Sequence, residues 1–149
     1  MVTLDILVLW AGAMTRSLVT AAGSKFMSSN YEKHIYGLLM DKNIKFEREK
    51  RFSDLKGGML RMDIWIPEYR KGCVCEVDGE QHWKPIHGEA VLKKLQENDR
   101  RKNSYFLAKN IPLYRIPYWE VYNLKTADDI FQEKFRVKDR WHNDKLDPK

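Results

Sequence analysis

The sequence predicts a mixed α/β domain in which a β-sheet is flanked by helices. The first observation is the order of local signals, which runs helix, strand, strand, strand, helix, strand, helix. The second is that apolar residues alternate with polar ones in the strand segments but recur at helical spacing elsewhere. The 149 residues contain no internal repeat or low-complexity linker, so the chain is most simply one domain with a substantial core.

The first helix is predicted to open at Ser29 and to end near residues 41–43. Ser29 and Glu32 have the spacing of a capping box, in which each side chain bonds the backbone of the other. A charged strand with one solvated face is expected next, at residues 44–52, because its apolar residues alternate. The apolar stripe of the helix consists of Ile35, Leu38 and Leu39.

Two further strands are predicted at residues 61–67 and Cys73–Asp78. Side chains alternate faces along a strand, so Glu76 and Asp78 share one face, and Asp63 reaches the same side if the strands pair as a hairpin. Three crowded carboxylates repel one another and need a cation. Hard oxygen ligands suit Mg²⁺ or Mn²⁺, and a divalent ion held by carboxylates in a basic protein is typical of phosphodiesterases.

A long helix is predicted at residues 89–109, with five residues on one stripe. Because the apolar members of this stripe must face the sheet, Asp99 and Lys102 also face inward, where an unpaired charge is costly. Either the acidic strand ends and a metal meet these charges, or the helix is slightly rotated and both reach water. The stripe consists of Leu92, Leu95, Asp99, Lys102 and Phe106.

The remaining segments complete the predicted architecture. Residues 111–118 are expected to form a strand that carries Leu113 and Arg115 on one face, and residues 119–137 one more helix. The chain from residue 138 is highly charged, so we expect a loosely attached tail unless Trp141 anchors it.

Charge and cysteine usage narrow the class of partner. The net charge of +6 and the pI of about 9.3 favour a polyanion as the binding partner. Many basic residues alternate with acidic ones, however, and that pattern is also typical of a solvated charged face. Cys73 and Cys75 are close neighbours on one strand face, a poor geometry for a disulfide, so we expect buried thiols in a reducing compartment. The apolar run near the N-terminus is too short to span a bilayer, and no membrane partner is expected.

The acidic residues lie in short motifs, which are Asp63 in Arg-x-Asp, Glu76-x-Asp78-Gly-x-x-His82 and Asp99-x-x-Lys102. Together with Glu32 in the first helix they resemble the PD-(D/E)XK nuclease superfamily. The chain looks most similar to its very-short-patch-repair-like branch, which includes the EDxHD homing endonucleases of phages, over about residues 27–120. The resemblance implies a restriction-endonuclease-like mixed sheet flanked by helices. It divides the chain into an N-terminal extension of unknown role at 1–26, a nuclease domain at 27–137 and a charged C-terminal tail at 138–149.

The resemblance implies a metal-dependent DNA endonuclease in the cytoplasm of a phage-infected or bacterial host cell. Asp63 and Glu76, with the carbonyl of Val77, are expected to hold Mg²⁺ or Mn²⁺. Glu32 either belongs to the catalytic group or only caps its helix.

The proton and charge transfers are expected to involve four residues. His82 or Asp78 takes a proton from the attacking water, and Lys102 stabilises negative charge in the transition state. Asp99 either orients His82 or completes the metal shell. Asp78 stands where the superfamily usually has a lysine, so either His82 or Lys102 takes over the role of that lysine.

DNA is the expected partner, and a homodimer is compatible with double-strand cleavage. The alternative functions are a structure-specific nuclease such as a Holliday junction resolvase, and a non-catalytic DNA-binding module on the same fold. Arg115 either contacts phosphate or supports the sheet edge. The residues expected to bind DNA are Arg70, Lys71, Arg100, Arg101 and Arg115.

Overall fold

A four-stranded mixed sheet organises the part of the chain that the computed structural model describes, residues 28–148. The expected N-terminal extension, 1–26, lies outside these residues. The architecture is the mixed α/β fold with flanking helices that the sequence predicts. Its elements are α1 (Asn30–Asp41), β1 (Glu47–Arg51), β2 (Arg61–Ile66), β3 (Cys73–Asp78), α2 (Glu89–Ala108), β4 (Leu113–Pro117), α3 (Tyr118–Val121) and α4 (Ala127–Ile130).

The strands lie in the order β1-β2-β3-β4. The pairs β1–β2 and β2–β3 are antiparallel, while β3 and β4 are parallel. Parallel neighbours need a long crossover connection, and here α2 supplies it. The carboxyl end of β3 therefore lies next to the carboxyl end of β4, beneath one face of α2.

Apolar side chains fill both faces of the sheet. On one face, Ile35 and Leu39 of α1 pack with Cys75 and Ile116 in a core of fully buried side chains. On the other face, Phe106 of α2 packs on a smaller set of apolar strand residues. The thiols of Cys73 and Cys75 are free and buried, as expected.

The predicted capping box opens α1. The side chain of Ser29 accepts a hydrogen bond from the backbone N–H of Glu32 at 3.1 Å, and the carboxylate of Glu32 accepts one from the backbone of Ser29. These bonds satisfy donors that a helix start otherwise leaves unpaired. The sequence therefore located the start of this helix correctly.

The prediction of one helix at residues 119–137 was wrong. The segment forms α3, α4 and a 3-10 turn at Glu133–Phe135. The break has a local cause, because Thr126 and Asp129 form a capping box that starts a new helix.

The prediction of a loosely attached tail was also wrong for the described residues. Asn143 is only 6 % exposed, and a 3-10 turn at Asn143–Lys145 packs against α2. Within residues 28–148, no helix combines the length and apolar character that crossing a bilayer requires.

Candidate functional site

Two carboxylates meet where β2 and β3 run side by side. Ile64 pairs with Cys75, and the next residues along the two strands, Asp63 and Glu76, lie close enough for each charge to affect the other. Asp63 Oδ2 accepts a hydrogen bond from the backbone N–H of Val77 at 2.8 Å. Burial and the neighbouring Glu76 raise the pKa of Asp63 well above its usual range. The predicted convergence is confirmed for Asp63 and Glu76, whereas the third carboxylate expected there, Asp78, is bound by Arg115 instead.

Lys102 projects from α2 onto this pair. Its Nζ donates a hydrogen bond to Glu76 Oε1 at 2.7 Å, and the two side chains are 13 % and 5 % exposed. Burial lowers the pKa of Lys102, but attraction to Glu76 and Asp63 outweighs it, and the pKa lies above its usual value. The prediction that Lys102 faces inward, towards the acidic strand ends, is confirmed.

Glu32 approaches the same pair from the start of α1. Its negative charge adds to the effects that raise the pKa of Asp63. Burial is also the main cause that raises the pKa of Glu32 itself, and its Oε2 accepts a hydrogen bond from Tyr36 Oη at 3.3 Å. Glu32 therefore caps α1 and also lies near the site. We call Glu32, Asp63, Glu76 and Lys102 the carboxylate–lysine group.

A second charged cluster lies two residues further along β3, at Asp78, on the same face as Glu76. Arg115 of β4 is completely buried, and its Nη1 donates to both carboxylate oxygens of Asp78 at 2.7 and 2.9 Å. Its Nη2 lies 3.2 Å from Asp99 Oδ1, and its Nε donates to Asn103 Oδ1 at 2.7 Å. All polar edges of the guanidinium are thus occupied by the protein.

The expectation that Arg115 binds DNA is therefore wrong. A side chain with no exposed surface and three protein partners cannot reach a phosphate in this fold. The contacts of Arg115 with Asp78, Asp99 and Asn103 agree with its other predicted role, which is to support the edge of the sheet. Burial raises the pKa of Asp78, but Arg115 and His82 outweigh it and hold that pKa below its usual range.

His82 completes this cluster. Its Nδ1 donates to Asp99 Oδ2 at 2.6 Å and lies 3.9 Å from Asp78 Oδ1. Burial lowers the pKa of His82, but the two carboxylates outweigh it, and the pKa lies above its usual value. The side chain keeps 14 % exposure, so the ring is open to solvent on one side. We call Asp78, His82, Asp99 and Arg115 the histidine group.

The histidine group has the spacing of a metal site. Single ligand atoms of Asp78, His82 and Asp99 all lie within 4.8 Å of one another, so these residues can hold a metal ion. Both oxygens of Asp78 and both of Asp99 nevertheless already accept bonds from Arg115 or His82, which supply positive charge. Within residues 28–148, the cation that acts on the carboxylates of both Asp63 and Glu76 is Lys102.

The other residues expected to bind DNA lie in two places. Arg70 and Lys71 lie in a 3-10 turn before the start of β3, whereas the site lies towards the carboxyl end of that strand. Arg100 and Arg101 lie on α2, which carries Asp99 and Lys102. Arg100 pairs with Asp144 at 2.9 Å, while Arg101 is exposed. The structure thus brings only the α2 arginines near the two groups.

The sequence analysis missed two buried asparagines that hold the histidine group. Asn103 lies one helical turn after Asp99, a spacing that could have identified it. Asn143 donates from Nδ2 to Asp78 Oδ2 at 2.9 Å across 65 residues of sequence. No local pattern distinguishes it from the charged residues around it.

Comparison with known proteins adds no relative. Neither a protein-family model, nor a curated protein, nor a solved structure matches this chain. The two charged groups are therefore the features of the molecule that indicate a function.

Proposed function

We propose that the protein is a metal-dependent endonuclease that hydrolyses phosphodiester bonds in DNA. The observation that carries this proposal is the convergence of the carboxylate–lysine group and the histidine group at one end of β3, beneath α2. Burying charged groups costs free energy of solvation, so two adjoining buried clusters favour a functional role for these residues. A divalent cation bound by carboxylates, a histidine that acts as general base and a lysine that stabilises negative charge can together hydrolyse a phosphodiester bond.

Asp63 and Glu76, with the Val77 carbonyl, are the residues that we assign to Mg²⁺ or Mn²⁺. Their donor set consists of hard oxygens, and burial beside Glu76, which raises the pKa of Asp63, disfavours a second negative charge that a divalent cation would compensate. When bound, a divalent ion would polarise a phosphate oxygen and lower the pKa of a bound water. We prefer this pair to the histidine group because Arg115 already neutralises Asp78 and Asp99.

His82 is the residue that we assign to proton abstraction from the attacking water. Nδ1 is hydrogen-bonded to Asp99, so Nε2 is the ring nitrogen that is left to accept a proton from the attacking water. The proton moves from water to Nε2, and the imidazolium that forms is stabilised by Asp99 and Asp78. Asp78 has a lowered pKa and is held by Arg115, so it is a poor base and instead supplies charge.

Lys102 is the residue that we assign to charge stabilisation on the phosphate. The strand position that carries a lysine in the superfamily is Asp78 here, and the ammonium beside Glu76 comes from α2 instead. A buried ammonium acts on developing negative charge more strongly than an exposed one. His82 and Lys102 then have separate tasks. The exposed Arg101 on the same helix and the net charge of +6 favour DNA as the substrate.

Plasmid cleavage tests the proposal. Supercoiled DNA is incubated with the wild type, Glu76→Gln and Glu80→Gln, each with Mg²⁺, Mn²⁺ or EDTA. Glu80 is a matched control because it pairs with Lys84 at the surface, with 44 % of its side chain exposed. We expect metal-dependent nicked or linear product from the wild type and the control, and none from Glu76→Gln. A wild type that cleaves neither plasmid nor mismatched or branched duplexes would refute the enzyme and favour a DNA-binding module.

A further inference from the structure

Asn143, near the C-terminus, forms hydrogen bonds with both ends of the segment from Asp78 to Trp83, which carries His82. Asn143 Nδ2 donates to Asp78 Oδ2 at 2.9 Å, and the backbone oxygen of Asn143 accepts a hydrogen bond from Trp83 Nε1 at 3.1 Å. Asp78 precedes His82 by four residues, and Trp83 follows it directly. Asn143 thus ties both ends of the short segment that carries His82.

The neighbours of Asn143 attach the same segment to α2. The backbone oxygen of Arg140 accepts from Asn103 Nδ2 at 3.1 Å, and Asp144 pairs with Arg100 Nε at 2.9 Å. Both partners follow Asp99 on the helix, Arg100 directly and Asn103 about one turn later. The segment is therefore fixed to the element that supplies the carboxylate partner of His82.

Asn143 is a poor residue for stability alone. Its side chain is buried, and its Oδ1 has no hydrogen-bond partner within residues 28–148. A buried unpaired acceptor costs about 1–3 kcal/mol, whereas an apolar side chain of similar size would pack there without that cost. The amide does, however, give Asp78 a directional donor that no apolar residue can supply.

We propose that Asn143 is a positioning residue that fixes the orientation of the Asp78 carboxylate relative to the ring of His82. The expected effect of losing Asn143 on the cleavage rate rests on the proposed nuclease function. Arg115 already binds both oxygens of Asp78, and the bond from Asn143 to Oδ2 adds a second restraint that helps to keep Oδ1 turned towards His82 Nδ1, 3.9 Å away. Without it, the imidazolium loses part of its stabilisation. Asn143 is buried and does not touch DNA, so its loss slows the chemical step and leaves substrate binding intact.

The full-length variant Asn143→Leu tests this role, with Lys145→Met as the control. Lys145 belongs to the same segment, but its side chain is 62 % exposed and pairs with Asp139 away from the site. We expect Asn143→Leu to lower kcat for DNA cleavage about tenfold or more with KM unchanged, and the control to stay within about twofold. If Asn143→Leu does not fold, Asn143→Ala is measured under the same criteria.

A second readout does not depend on cleavage. The Nδ1 proton of His82, bound to Asp99, is followed by NMR, and we expect faster solvent exchange of this proton in Asn143→Leu but not in Lys145→Met. If the wild type cleaves no DNA, the nuclease function fails and this signal alone decides the positioning role. A folded Asn143→Leu protein with unchanged proton exchange overturns the proposal, and so does an active wild type whose kcat survives the substitution.

Discussion

Replacing Arg115 with methionine separates its role in the fold from a role in DNA binding. Methionine has a similar length and no charge, so Arg115→Met leaves Asp78 and Asp99 buried and facing each other without their shared cation. The guanidinium is completely buried and forms its closest contacts at 2.7 Å. The substitution therefore tests a buried ion pair by removing one partner.

The expected loss of unfolding free energy is large. Breaking a buried pair by removing one partner costs about 3–5 kcal/mol, a substantial part of the roughly 5–15 kcal/mol that stabilises a domain. For a domain of this size each kcal/mol corresponds to about 2–4 °C, so Tm should fall by about 6–20 °C. Asn103 adds to this loss, because its Oδ1 is left without the Nε donor.

The loss should also depend on pH. In the wild type the pKa of Asp78 is lowered, so this group contributes stability above its unfolded value of about 3.9 and loses it as the pH falls through the folded pKa. Without Arg115, burial raises the pKa of Asp78 instead, and protonation relieves the buried charge. The difference between wild type and variant should therefore narrow as the pH is lowered from neutral towards about 4.

Urea unfolding followed by circular dichroism, with Arg101→Met as the control, measures both effects. Arg101 is an exposed arginine on α2 that pairs with Glu97 at 3.2 Å, and its loss should cost less than about 1 kcal/mol. If Arg115→Met also costs less than about 1 kcal/mol, the reasoning on the buried network is refuted. Retained stability combined with weaker DNA binding would restore the DNA-contact role.

Four further predictions concern single groups. The pKa of His82 is raised on folding, so its contribution is fully present below the unfolded value of about 6.5 and is lost as the pH rises through the folded pKa. His82→Gln should flatten that decline in unfolding experiments above about pH 6.5. Mn²⁺ at about 100 times its Kd should raise the free energy of unfolding of the wild type by about 2.7 kcal/mol, as measured in thermal melts. An equal rise in Asp63→Asn would exclude Asp63 as a ligand. Lys102→Met should lower kcat about 10²–10³-fold, measured by plasmid cleavage, and near wild-type rates would remove the ammonium from the mechanism. Burial raises the pKa of Cys73 to about 12, so iodoacetamide should label this thiol in urea but not in the native protein, as read by mass spectrometry.

The local periodicity of the sequence was enough to place several charged residues correctly. The period of two along β3 puts Glu76 and Asp78 on one face, and the helical period of α2 turns Asp99 and Lys102 inward. Both patterns depend on neighbours within a few residues, which is why they can be read without the fold. The same holds for the capping box that starts α1.

The partner of each charge was decided by the tertiary structure. Whether Arg115 meets DNA or Asp78 depends on the parallel pairing of β4 with β3, which only the crossover through α2 creates. Asn143 reaches Asp78 across 65 residues, and a charged stretch of sequence carries no sign of that contact. An ion pair is selected by distance in space and by burial, and neither quantity is encoded in the spacing of residues along the chain.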